Sequence, residues 1–142
     1  MNEALNEAKK ALILKEVPVG AVIVKNDKII SRACNLRETL SDPTAHAEIL
    51  AIRKASEKLQ SWRLNECSLY VTLEPCPMCA GAIVQARIGK VYIGTFDDKA
   101  GACGSVINVL QNDSFNHWAD VKWVYNEECS EILVDFFKNK RR

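Results

Sequence analysis

The chain has 142 residues, 48% of them hydrophobic and 26% charged, which is the balance of a soluble globular protein and excludes a disordered one. That length suits one domain with a real core and is too short for two ordinary ones. No stretch approaches the ~20 apolar residues of a membrane span, and a net charge of +1 leaves no global nucleic-acid footprint.

In chain order, Ala4, Leu5, Ala8, Ala11 and Leu12 recur at helical spacing, so residues 2–15 are predicted to form an amphipathic helix, ended by Pro18 and Gly20. Residues 21–25 and 29–33 are β-rich runs about Asn26-Asp27-Lys28 and read as a hairpin. Residues 36–42 are polar loop. Asp42, Pro43 and Thr44 carry the signals of a helix start, and apolar spacing carries that helix to about residue 59. Residues 68–73 form a strand that Pro75 ends. Pro77 opens a helix to about Arg87, apolar on nearly every side, which should be buried or pack on a partner subunit. Residues 90–94 are a strand, 97–105 a glycine-containing loop, 106–110 a short helical piece, 121–125 a strand and 127–139 the last helix. Strands alternating with helices after the hairpin predict an α/β fold, a three-layer α/β/α arrangement around a mixed five-stranded sheet within residues 1–142. The first two strands are antiparallel, and the later ones, joined by helical crossovers, are parallel.

The chemistry lies in His46-Ala47-Glu48 and Pro75-Cys76-Pro77-Met78-Cys79. One imidazole and two thiols are zinc ligands, and three protein ligands leave the fourth tetrahedral position open for a reactive water. Two thiolates with a neutral imidazole select zinc over hard cations. Glu48 supplies a carboxylate able to move protons. His46 and Glu48 are about 200° apart on a regular helix, so they share a site only if both sit at the helix start. Cys76 and Cys79 sit at the start of the next helix. The other four cysteines, Cys34, Cys67, Cys103 and Cys129, lack ligand spacing and read as small buried hydrophobes, although spacing alone leaves Cys34, Cys67 and Cys103 open as a fourth ligand. His117, in a polar stretch, reads as a surface residue. A structural zinc would explain neither Glu48 nor the two helix starts. With no export signal visible, the chain is expected to be cytoplasmic, with its thiols reduced.

His-x-Glu with Pro-Cys-x-x-Cys resembles the cytidine deaminase superfamily. Residues 16–22, 42–48, 69–82, 101–105 and 135–137 are similar to the bacterial tRNA-specific adenosine deaminases within it. That resemblance implies a cytidine deaminase-like fold, one zinc per subunit, a homodimer, and hydrolytic conversion of adenosine to inosine at the first anticodon position of a tRNA. It implies metal binding by His46, Cys76 and Cys79, and proton transfer by Glu48. It also implies that Asn35 and Ala47 bind the purine and that Asp97 and Lys99 lie near flanking nucleotides. One of Phe136 and Phe137 packs in the core. Phe137 is assigned to a splayed anticodon-loop base, and Lys140 and Arg141, within the basic run that ends at Arg142, to phosphate. Phe96 departs from the polar or basic residue that many relatives carry. The alternatives are a small-molecule guanine or cytosine deaminase of the same superfamily, and a zinc-stabilised RNA-binding module without catalysis.

Overall fold

The computed structural model describes residues 1–140. In order, the elements are α1 (Asn2–Ile13), β1 (Gly20–Lys25), β2 (Lys28–Cys34), α2 (Ala47–Leu59), β3 (Cys67–Leu73), α3 (Pro77–Ala86), β4 (Lys90–Thr95), β5 (Asp120–Trp123) and α4 (Glu127–Lys140). The sheet order is β2-β1-β3-β4-β5. β1 runs antiparallel to both β2 and β3, whereas β3, β4 and β5 are mutually parallel. α1 and α4 pack together on one face and α2 and α3 on the other, which gives three layers.

Local chemistry explains the hairpin and the seating of α1. Asn26 and Asp27 take φ of 51° and 61°, the pair of left-handed residues that a two-residue hairpin turn requires and that Asn and Asp tolerate. α1 lies close on β1 because Ala4 and Ala8 face Gly20, where a Cβ would stand 2.0 Å from the Ala4 carbonyl oxygen. Ile23, Leu69, Val71, Ile83, Val91 and Ile93 are fully buried in the main core. Each such side chain contributes about 1.5–3 kcal/mol by leaving water.

Several boundaries differ from the sequence reading. α1 stops at Ile13 rather than 15. α2 starts at Ala47 with His46 as its N-cap, not at residues 42–44. The polar groups of Asp42 and Thr44 are used locally instead: Asp42 Oδ1 accepts from Thr44 N (2.8 Å) and Thr44 Oγ1 (2.7 Å), closing a turn ahead of the helix. Residues 106–110 are not helical. Gly104, at φ 131°, turns the chain back, Cys103 bridges to Asn108, and Val106 N donates to Gly101 O at 3.0 Å. β4 therefore reaches β5 through an irregular connection rather than a helix, although the two strands are parallel as expected. His117 is half-buried, and its Nε2 lies 2.7 Å from the Ile88 carbonyl, which ties that connection to the start of β4.

Candidate active site

The C-terminal ends of β3 and β4 and the N-termini of α2 and α3 converge on one cleft of about 250 Å³. This is the edge of an open α/β sheet where ligands bind. His46 and Cys76 are the N-cap residues of α2 and α3, both with extended backbone. The unpaired first-turn N–H groups of both helices therefore face the site. His46 Nδ1 lies 3.4 Å from Cys79 Sγ and 3.7 Å from Cys76 Sγ, and the three ligand atoms all fall within 4.8 Å of one another.

These distances match a tetrahedral zinc. Zn–S and Zn–N bonds of ordinary length, opened to the tetrahedral angle, separate sulfur from nitrogen by about 3.6 Å. The donor set of one imidazole and two sulfurs suits zinc. The Cys79 thiol, ahead of His46, bonds to the Cys76 sulfur and pulls its pKa down to about 4. The same bond, reinforced by burial, drives Cys79 up. Cys76 in turn raises His46. Among the described residues, Cys34, Cys67 and Cys103 are not in the metal-ligand cluster.

Glu48 lies in the first turn of α2 and lines the cleft with only 4% of its surface exposed. Burial pushes its carboxyl above the ordinary carboxylate range. It stands outside the three-atom cluster. Asn35 closes another wall: its Nδ2 donates to Val17 O (3.2 Å) and its Oδ1 accepts from Arg37 N (3.2 Å). An amide has two N–H groups and two lone pairs, so each end retains one for a ligand. Ala47, fully buried, opens α2 and adds only a methyl group to the cleft wall. Asp97 and Phe137 complete the rim, Phe137 with 43% of its surface exposed.

Two of the assigned residues are not in the cleft. Lys99 is exposed on the loop behind Asp97, with its backbone N bonded to Asp97 Oδ1 (3.0 Å). Lys140 lines a separate groove between α4 and the end of α1, its ammonium 5.7 Å from the centre of the Phe136 ring. Arg141 and Arg142 lie outside the described residues.

Sequence reasoning gave no role to two buried carboxylates that shape the rims. Glu16 accepts from Glu38 N (3.1 Å) and Thr39 N (2.7 Å) and so holds the loop after β2. Glu74 accepts from the loop after β4. Their one visible signal was a carboxylate beside an apolar segment and a proline, Glu16-Val17-Pro18 and Glu74-Pro75.

Residues 1–141 match the family model of MafB19-like deaminases. The chain is 53% identical to a tRNA-specific adenosine deaminase of Bacillus subtilis (strain 168), over 100% of this chain and 89% of that protein. A solved structure from work on A-to-I editing by tRNA:A34 deaminases at the wobble position of transfer RNA superposes with a TM-score of 0.90 at 46% identity, covering 94% of this chain and 97% of that one. A guanine deaminase structure from Bacillus subtilis gives a TM-score of 0.64 at 43% identity, covering 67% of this chain and 61% of the other. The cleft and its donor set thus sit in a frame shared over the full length of the chain, which belongs to the MafB19-like deaminase family, among the tRNA-specific adenosine deaminases.

Proposed function

We propose that the protein is a zinc hydrolase that converts adenosine to inosine at the wobble position of a tRNA, consuming water and releasing ammonia. The observation that carries this is the convergence of His46, Cys76 and Cys79 at tetrahedral spacing beside the buried Glu48, within a chain similar over its whole length to tRNA-specific adenosine deaminases.

His46, Cys76 and Cys79 would hold one zinc per subunit, which when bound supplies Lewis-acid activation of water. Glu48 carries the protons. As a carboxylate it would take a proton from the water, and as the acid so formed it would deliver protons to the purine ring nitrogen and the departing amine. Asn35 holds the purine edge through its two free amide positions. Ala47 leaves room for the flipped ring, and Phe137 offers a face for an unstacked loop base. Asp97 sits at the rim where a neighbouring nucleotide would pass, with Lys99 just outside it.

The reading extends to a homodimer in the cytoplasm, where tRNA is found. α3 leaves Met78, Gly81 and Ala82 only partly covered, and a Cβ at Gly81 would touch nothing within 4 Å, so a second subunit has room to approach closely. No helix among the described residues is long and apolar enough to cross a membrane.

The similarity to a guanine deaminase favours a second reading, a free-base deaminase, but it spans a smaller part of both chains. One experiment separates the two. A short stem-loop with adenosine first in its anticodon is compared with free adenosine, cytidine and guanine. The stem-loop should form inosine while the free compounds react poorly, because the loop supplies binding that orients the flipped base. Faster turnover of guanine than of the stem-loop would replace the tRNA reading.

A further inference from the structure

The loop after β4 forms one rim of the cleft, and its backbone is folded around a single side chain. Glu74 Oε1 accepts from Asp97 N at 3.0 Å and from the Ser105 hydroxyl, and Oε2 accepts from Cys103 N at 3.0 Å and Ser105 N at 3.1 Å. Three backbone donors and one hydroxyl thus converge on one buried carboxylate, the arrangement by which a backbone nest binds an anion. The fit is close. A Cβ at Gly101 would lie 2.4 Å from Glu74 Cδ and 2.4 Å from the Asp97 carbonyl oxygen. A further bond runs from Ala102 N to Pro75 O at 2.9 Å. Residues 74 and 75 lead directly into Cys76, so the rim is fastened to the same segment that presents a metal ligand. Asp97 and Ala100, which this loop carries, face the cleft.

We propose that Glu74 is a positioning residue that sets the register between the rim at residues 97–105 and the metal-binding segment, and thereby sets discrimination among the nucleotides that flank the reactive adenosine. This rests on the deaminase reading above. Glu74 lies in the wall of the cleft, but both of its carboxylate oxygens are turned to the donors of the loop. It acts through Asp97 and Ala100, whose placement depends on all four hydrogen bonds being accepted. Glutamine cannot replace it, because one acceptor oxygen becomes an NH2 group facing backbone N–H donors.

The test uses the full chain loaded with zinc and stem-loops that differ only in the bases on either side of the adenosine. Wild-type turnover is measured first. Its absence overturns the deaminase reading, and this proposal with it. With the wild type active, Glu74→Gln should raise KM by about tenfold and flatten the preference among stem-loops, while kcat stays within about threefold and zinc stays at wild-type stoichiometry. Ser105→Ala, which removes one of the four bonds and keeps the carboxylate, should shift KM and preference the same way by a smaller factor, and it decides the matter if Glu74→Gln does not fold. Unchanged KM and unchanged preference in the folded variants would overturn the proposal. So would a fall in kcat and zinc content with the preference intact, since Glu74 would then serve only the metal segment.

Discussion

At the scale of single residues, the site depends on where two side chains fall relative to a helix end. His46 is the last residue before α2 and Glu48 is in its first turn, so residues that would diverge along a continuous helix both reach the space beyond its N-terminus. That convergence was legible in the spacing, although the capping differs from what residues 42–44 suggest: Asp42 and Thr44 close a separate turn, and the imidazole residue is itself the cap. Glu48 lies outside the ligand cluster and is sealed from solvent, which fits a proton carrier rather than a ligand. Glu48→Ala should therefore keep zinc and fold while losing deamination by at least ~10²-fold, the low end for general acid–base catalysis. Metal analysis alongside stem-loop kinetics checks this. Loss of zinc in step with loss of activity would assign Glu48 to the metal instead.

At the scale of elements, periodicity and turn chemistry identified the strands and the four helices to within a few residues, because each carries its own apolar face. The connections were harder to read, because their conformation is set by distant partners. Val106 to Leu110 has helical spacing, yet Gly104 and the bonds to Glu74 fold the segment back on itself. The loop after β2 is likewise governed by Glu16, through long-range bonds that no local pattern announces. Burial opposes ionisation of Glu16, but the N–H groups of Thr39 and Glu38, with the charge of Arg37, outweigh it and hold the carboxyl below its ordinary value. A group whose pKa is lower in the folded state adds stability above its unfolded pKa, and that stability disappears as pH falls through the folded value. Glu16→Gln should cost about 1–3 kcal/mol at pH 7 through its mismatched donors. Its stability should also fall less than that of the wild type between about pH 5 and pH 3. Urea unfolding of both proteins across that range measures the difference, and parallel curves would mean that Glu16 does not carry this part of the acid sensitivity.

At the scale of the whole molecule, a chain of net charge +1 has to bind a polyanion with local rather than global charge. α4 governs where that local charge lies. It packs on β3, β4 and α1, and it brings Phe137 to the rim of the cleft, so Lys138 and Lys140 follow Phe137 within three residues, with Arg141 and Arg142 next in the sequence. The Lys140 side chain is turned toward the Phe136 ring and lines the groove beside α1 rather than the cleft. Replacing Lys140, Arg141 and Arg142 together by Ala should weaken stem-loop binding and make the negative slope of log K against log salt shallower by about 0.7, the single-strand value, for each phosphate left without its cation. Zinc content should not change, because the metal-ligand cluster is His46, Cys76 and Cys79 and a lysine or arginine cation is not a zinc ligand. Affinity across a salt series, for wild type and the triple variant, reads the slope directly. Superimposable plots would remove the tail from recognition and leave binding to the cleft and to the rim that Glu74 holds in place.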